Sequence, residues 1–199
     1  HQARGLQLIK KLNLLDSDNI NILSDALSLV CQFCRISPNY YKPIHELNIY
    51  NSIKKCITHA DPSIRSKTNN LIGHMCRHSD FFYEHILRNN LLEDCIKCCK
   101  DQDSATRKFA SFALGNAAFH NDKLYEVLKP SISFIIALLD DKDEKTRANA
   151  SGALGNFARN SGALIGELMN NDTIKALFAV ATSPPSAPSS KDSSLVSSG

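Results

Sequence analysis

Three stretches of the chain repeat one order of polar and apolar positions. Each begins with an acidic residue, has an arginine four positions later and a glycine eight positions after the arginine. The copies begin at Asp61, Asp103 and Asp143, at spacings of 42 and 40 residues. A weaker copy lies 42 residues upstream, from Asn19 to Gln32, and lacks the arginine and the glycine. Repeats of this length are typical of α-solenoids.

Each copy is predicted to form a long helix. The acidic residue suits an N-cap, whose side-chain oxygen accepts hydrogen bonds from free backbone amides, and Pro62 suits the first helical position. Gly73, Gly115 and Gly155 would each cost about 0.5–1 kcal/mol relative to alanine inside a helix, so we expect a neighbouring helix to approach closely there. Apolar residues recur at helical spacing on one face. They are Ala26, Leu29, Val30, Phe33 and Cys34, then Thr68, Leu71, Ile72, Met75 and Cys76, then Ala110, Ala113, Leu114, Ala117 and Ala118, then Ala150, Ala153, Leu154, Phe157 and Ala158.

Two shorter helices are predicted before each long one. First helices are expected over 81–88, 122–128 and 163–169. One short and two longer helices in about 40 residues is the plan of the armadillo repeat. The predicted fold is therefore all-α, a right-handed α-solenoid of about four armadillo-type repeats, the first and last incomplete. The apolar positions of the second helices also align between copies: Ile53 with Cys95 and Ile135, Cys56 with Cys98 and Leu138, and Ile57 with Cys99 and Leu139.

The repeat register predicts one domain over residues 1–182 and a tail over 183–199. The repeats fall roughly at 1–37, 38–79, 80–120 and 121–160, and 161–182 supplies a first and a second helix without a third. The tail is rich in serine and proline and is expected to be disordered. We interpret the sequence as part of a longer protein, with apolar surface exposed at an uncapped end.

Composition adds few constraints. A net charge of +3 does not by itself indicate nucleic acid or membrane partners, and no apolar run is long enough to span a bilayer. Seven cysteines, an odd number in a helical chain, favour a reducing and hence cytoplasmic compartment over a disulfide framework.

Neither catalytic nor cofactor chemistry is indicated. The sequence has no phosphate-binding glycine loop, zinc-protease motif or nucleophile elbow. Cys95, Cys98 and Cys99 lie near several histidines, and zinc binds four such ligands. They align with apolar core positions of another repeat, so we expect them to be buried as small hydrophobic residues. A Cys/His zinc-binding module remains an alternative.

The inner face of the third helices is the predicted partner-binding groove. A polar residue stands at one register position in each copy, namely Gln32, His74, Asn116 and Asn156, and Phe112 lies one turn before Asn116. An amide both donates and accepts, so it can bind a peptide backbone whatever the side chains. The arrangement resembles the Trp/Asn ladder in the armadillo grooves of importin-α and β-catenin, with Phe112 in an aromatic position.

A basic strip follows this row along the helices. Arg35, Arg77 and Arg159 share one register position, and Phe119 occupies it in the remaining copy. Such a strip favours an acidic or phosphorylated protein partner. For any single residue of the row or the strip, a solvated polar surface is the alternative.

Several stretches carry a more specific resemblance. They are Arg77-His78-Ser79 with Phe82-Tyr83, Thr106-Arg107-Lys108-Phe109-Ala110, Gly115-Asn116-Ala117-Ala118-Phe119-His120-Asn121-Asp122, and Lys145-Thr146-Arg147-Ala148-Asn149-Ala150-Ser151-Gly152-Ala153-Leu154. Together they resemble the C-terminal armadillo region of Fused-type serine/threonine protein kinases.

This resemblance implies a non-catalytic scaffold from the regulatory region of such a kinase. ATP and magnesium would belong to the kinase domain, which lies outside this sequence. The resemblance also implies roles in Hedgehog signalling, in motile cilia or in cytokinesis. The implied partners are the kinase domain itself or a kinesin-like protein, and the implied location is the cytoskeleton or cilium. The alternative is a general armadillo adaptor for a peptide or cytoskeletal partner, with no kinase attached.

Overall fold

A computed structural model describes residues 3–159 and 162–182, which form helices and connecting turns without a strand. The helices are α1 (Ala3–Lys11), α2 (Ile20–Ile36), α3 (Tyr41–His45), α4 (Tyr50–Cys56), α5 (Pro62–Met75), α6 (Tyr83–Arg88), α7 (Leu91–Cys98), α8 (Ser104–Ala117), α9 (Tyr125–Leu128), α10 (Ile132–Ala137), α11 (Glu144–Arg159), α12 (Gly162–Asn170) and α13 (Thr173–Thr182). Short 3-10 turns cover Leu14–Asp16, Pro38–Tyr40, Lys129–Ser131 and Leu138–Asp140. The tail predicted over 183–199 lies outside the described residues.

The helices recur as triplets of a first, a second and a long third helix. These are α3 with α4 and α5, α6 with α7 and α8, and α9 with α10 and α11; α12 and α13 follow. The most extensive packing joins the long helices α2, α5, α8 and α11 in chain order. The predicted α-solenoid is confirmed. Among the described helices, none is long and apolar enough to cross a membrane.

Acidic side chains begin the third helices α5, α8 and α11, as predicted. Asp61 accepts a hydrogen bond from the Ser63 amide at 2.7 Å, and Asp103 accepts one from the Thr106 amide at 2.7 Å. Asp143 does the same in α11. Each bond satisfies one of the amides that a helix start leaves without an internal partner.

Of the three glycines at the shared register position of the third helices, Gly73 and Gly115 lie where the next third helix approaches closely. A β-carbon at Gly73 would lie 2.4 Å from the Phe112 ring, and one at Gly115 would lie 3.0 Å from the Ala153 Cα. The expected close approach is confirmed at these two positions. At Gly155 no atom lies within 4 Å of such a carbon, because no third helix follows α11 within the described residues.

The predicted apolar face is buried in the middle of the stack and partly exposed at its two ends. All five residues of this face are buried in the copy that contains α5 and in the copy that contains α8. Leu29 in α2 is 42% exposed, and Ala158 in α11 is also exposed. The face is covered by an adjacent third helix, and the described chain has such a helix on only one side of α2 and of α11.

Arginine side chains link consecutive repeats. Arg65 Nε lies 2.7 Å from Asp101 Oδ2, and Arg107 Nε lies 2.6 Å from Asp141 Oδ2. A second guanidinium nitrogen reaches the other carboxylate oxygen in each pair, at 2.8 and 3.1 Å. Burial alone would raise the pKa of Asp141, but the hydrogen bonds from Arg107 and from the Asp143 amide hold that pKa below its ordinary value. The arginines therefore pair with the next repeat and not with the acidic residue of their own helix.

Replacing Gly115 and Gly155 by alanine is expected to shift stability in opposite directions. Gly115→Ala should destabilise by about 1–3 kcal/mol, since its methyl group meets backbone atoms of α11 that cannot easily move. Gly155→Ala should stabilise by about 0.5–1 kcal/mol, since alanine favours the helix and space is open. Urea unfolding measures both changes in the free energy of unfolding. Changes of the same sign would contradict the close contact of α8 with α11 at Gly115.

Removal of Arg107 is expected to cost much more stability than removal of Arg147. Arg107→Ala leaves Asp141 without its partner in a mostly buried pair and should lower the free energy of unfolding by about 3 kcal/mol. Arg147 binds only carbonyls of its own turn among the described residues, so Arg147→Ala should cost about 1 kcal/mol. Thermal or urea unfolding measures both losses. Equal losses in the free energy of unfolding would show that the pair between Arg107 and Asp141 adds no stability beyond that of hydrogen bonds within one turn.

Candidate functional site

A cleft of about 210 Å³ lies between α8 and α11. It brings together Phe112, Asn116 and Asn156, three of the residues predicted to form the groove. Gly152 leaves the cleft open on the α11 side, since a β-carbon there would meet nothing within 4 Å. The full lining is Ser111, Phe112, Gly115, Asn116, Ala148, Asn149, Gly152, Ala153 and Asn156.

The two asparagines are anchored to the preceding repeat. Asn116 Nδ2 donates to the Gly73 carbonyl at 2.9 Å, and Asn156 Nδ2 donates to the Gly115 carbonyl at 3.0 Å. Both carbonyls lie in the last turn of a third helix, where carbonyl groups lack an internal amide partner. The bonds satisfy these carbonyls and fix the orientation of both amides.

The anchored amides retain capacity for a ligand. An asparagine side chain has two N–H donors and an oxygen with two lone pairs. Within the described residues, no donor contacts Oδ1 of Asn116 or Asn156, and each Nδ2 uses one donor. Each residue therefore presents an acceptor and a second donor, as binding of an extended peptide backbone requires.

Asn149 is a cleft residue that the sequence analysis missed. Its Nδ2 donates to the Lys108 carbonyl at 3.0 Å, so it joins α11 to α8 as Asn156 does. The signal was present: Asn149 precedes Asn156 by seven residues, which is two helical turns and places both on one face.

His74 holds the asparagine register position in α5 but is buried, with 7% of its surface exposed. Its ring lies against the Phe112 ring, with centroids 5.1 Å apart. Burial, with the nearby Arg77 charge, lowers the pKa of His74 to about 4, so the ring is neutral at pH 7. The side chain thus supports Phe112 from behind and presents little polar surface to a ligand.

The remaining predicted residues lie outside the cleft lining. Gln32 is exposed on α2, and Arg77 is exposed just beyond α5. The Arg159 guanidinium lies 4.6 Å from the centre of the Phe119 ring, a cation–π contact. Arg35 is exposed near the end of α2.

Two histidines that were not predicted as groove residues join the ends of these helices. His78 Nε2 lies 3.0 Å from the Arg35 carbonyl, and His120 Nε2 lies 3.1 Å from the Arg77 carbonyl. The 42-residue spacing between the histidines was the available signal. They hold the backbone that carries the basic strip.

All seven cysteines are buried, including Cys95, Cys98 and Cys99, which the register predicts at core positions. Burial raises the pKa of Cys31 and Cys56 to about 11 and that of Cys99 to about 12, so these thiols are protonated at neutral pH. In the part of the chain that the structure describes, no three His, Cys, Asp or Glu side chains converge as metal ligands.

Similarity to known proteins is found in three dimensions only. No protein-family model matches the chain, and no curated protein does. A designed armadillo repeat protein in complex with the peptide (KR)4 matches with a TM-score of 0.81 at 17% identity, over 89% of this chain and 78% of that chain. This chain has the armadillo fold.

Two further solved structures also match this chain, and both are armadillo repeat proteins. Computationally designed armadillo repeat proteins for modular peptide recognition match with a TM-score of 0.75 at 19% identity, over 83% of this chain and 71% of that chain. A second designed armadillo repeat protein matches with a TM-score of 0.80 at 19% identity, over 90% and 79%. At these identities the likeness establishes the armadillo architecture and carries no residue roles.

Proposed function

We propose that this chain is a non-catalytic scaffold that binds an extended segment of a partner protein along the cleft between α8 and α11. The observation that carries the proposal is the pair of anchored amides, Asn116 and Asn156, whose Oδ1 atoms no described donor contacts. Two such amides, one repeat apart, suit alternate backbone groups of an extended peptide. Phe112 provides an apolar wall of the same cleft.

Two of the similar solved structures support the proposal that this chain binds a peptide. The designed protein in complex with (KR)4 and the proteins designed for modular peptide recognition have the same armadillo fold as this chain. The charge of this chain favours a different ligand from (KR)4. Arg77 and Arg159 are exposed beyond the cleft, and arginine binds carboxylate and phosphate through paired hydrogen bonds. We therefore propose an acidic or phosphorylated segment as the ligand, bound in the cytoplasm.

We further propose that the scaffold is the regulatory region of a Fused-type serine/threonine kinase. The support is the sequence resemblance over 61–161. One residue of these stretches also makes a contact between repeats, since Asn121 Nδ2 donates to Asp80 Oδ2 at 2.7 Å. In this proposal the partner is the parent kinase domain or a kinesin-like protein, in Hedgehog signalling, cilium assembly or cytokinesis. A general armadillo adaptor without a kinase is the competing proposal.

Peptide binding at the cleft can be tested by fluorescence anisotropy. Eight-residue acidic and phosphoserine peptides should bind more tightly than (KR)4. Asn116→Ala combined with Asn156→Ala should weaken binding about 10- to 30-fold, since two hydrogen bonds of about 1 kcal/mol each are lost.

Asn89→Ala is the matched control, because it also removes an amide that donates to a helix carbonyl, outside the cleft. Circular dichroism should confirm that all variants keep their helices. Unchanged affinity in the double variant, or tighter binding of (KR)4 than of the acidic peptides, would reject the proposed groove or its ligand.

The kinase proposal predicts a glycine-rich loop, an HRD motif and a DFG motif in the upstream reading frame. The separately expressed kinase domain should then be captured by the immobilised chain. Capture of a kinesin or ciliary protein without the kinase domain would identify a targeting scaffold instead. A reading frame without these motifs would reject the kinase proposal and favour the general armadillo adaptor.

A further inference from the structure

The interfaces that α8 makes with α5 and with α11 have the same backbone arrangement. A β-carbon added at Gly73 would lie 3.3 Å from the Ala113 Cα, and one added at Gly115 would lie 3.0 Å from the Ala153 Cα. The asparagine bond to the preceding helix crosses both interfaces at nearly the same length, 2.9 and 3.0 Å. The second interface therefore repeats the first, and the two can be compared position by position.

One side chain distinguishes the two interfaces. Between α5 and α8, the Phe112 ring lies across the contact, 2.4 Å from where a β-carbon of Gly73 would be and 5.1 Å from the His74 ring centre. Gly152 holds the register position of Phe112 in α11. A β-carbon there would meet nothing within 4 Å. The space that an aromatic ring fills in one repeat is therefore open in the next.

This open space is the cleft between α8 and α11, and its size suits one ring. Its volume is about 210 Å³, and apolar cavities of about 150 Å³ accommodate a benzene molecule. Gly115 and Gly152 line it from the two facing helices, and Phe112 forms another wall. A ring bound in the cleft would thus contact a second ring, and paired aromatic rings attract each other beyond their area burial.

The polar part of the cleft favours a ring that carries a hydrogen-bond donor. Asn116, Asn149 and Asn156 each donate Nδ2 to a backbone carbonyl, and no described donor contacts their Oδ1 atoms. These three oxygens accept only, and the tyrosine hydroxyl is a donor on an aromatic ring. Among the described residues that line the cleft, none is acidic. An arginine or lysine of a ligand would therefore place its charge there without a partner, which is unfavourable.

We propose that the cleft between α8 and α11 is a subsite for one tyrosine side chain of the partner segment. Its ring lies across Gly115 as Phe112 lies across Gly73, and its hydroxyl donates to an asparagine Oδ1. This inference rests on the proposed function, which supplies the extended segment, and adds the residue type that the segment carries at this point.

Gly152→Phe tests the subsite, because it gives α11 the ring that α8 has at the same register position. The ring should fill the cleft without lowering the urea midpoint, since nothing opposes the β-carbon. A fluorescein-labelled acidic peptide of seven residues with a central tyrosine should bind the unchanged chain saturably and the variant about tenfold or more weakly. Gly166→Phe is the matched control, since its β-carbon is equally unopposed but lies in α12, outside the cleft lining. Its affinity should be unchanged.

A peptide series tests the choice of tyrosine. Phenylalanine in its place should bind about fivefold more weakly, because one hydrogen bond is lost. Leucine should bind about tenfold more weakly, because it also loses the ring contact, and arginine should bind no better than leucine. In Gly152→Phe the preference for tyrosine over leucine should disappear. That ratio is insensitive to any general effect of the substitution on peptide binding.

An NMR titration with p-cresol separates the ring from the segment that carries it. In the unchanged chain, p-cresol should shift the side-chain amide signals of Asn116, Asn149 and Asn156 saturably, and in Gly152→Phe it should not. Binding of p-cresol without binding of any peptide would support the ring subsite and reject the extended segment.

Three results would overturn the tyrosine subsite and leave the proposed groove standing. The first is equal affinity for the tyrosine and leucine peptides, and the second is tightest binding of the arginine peptide. The third is a p-cresol response that Gly152→Phe leaves intact, or no response at all, while the acidic peptides still bind. A lower urea midpoint in Gly152→Phe than in Gly166→Phe would also overturn it, because the two interfaces would then not be equivalent.

Discussion

The close approach of consecutive third helices is the contact on which this structure depends. At Gly73 and Gly115 there is no room for a β-carbon, because Phe112 and Ala153 lie directly against the backbone. Only at this separation can Asn116 reach the Gly73 carbonyl at 2.9 Å. A larger residue would separate the helices and break the hydrogen bonds that orient the candidate site.

The two ends of the third helices are fixed by different chemistry. Near the N-termini of α5 and α8, arginine–aspartate pairs join the helix to the turn before the next third helix, as Arg107 does with Asp141. Near the C-termini, amide and imidazole groups bind backbone carbonyls of the preceding repeat, as Asn156 and His120 do. Because both ends are held, the cleft between α8 and α11 is preorganised, which reduces the entropic cost of binding an extended ligand.

Repeat register predicted the fold well, because equivalent positions in a solenoid share an environment. It placed the N-caps at Asp61 and Asp103 and the cysteines in the core. Register could not predict what depends on the neighbouring repeat. His74 aligns with Asn116, yet the large ring of Phe112 covers Gly73 and His74 together.

The same limit explains the other differences at the site and at the ends. Leu29 follows the apolar pattern but is exposed, since no third helix among the described residues precedes α2. Spacing left open whether Arg107 pairs with its own helix or the next, and only the three-dimensional arrangement selects Asp141. Asn149 was missed because no other copy has an amide at that register position; Asp25, Lys67 and Phe109 stand there instead.

The most direct test of the central claim is an NMR titration of the full chain with an acidic peptide, observing the side-chain amide signals of the asparagines. Specific binding in the cleft predicts that the signals of Asn116, Asn149 and Asn156 shift together and saturate, while that of Asn89 stays unchanged. Shifts confined to residues outside the cleft, or no saturable shift at all, would contradict a peptide-binding groove between α8 and α11.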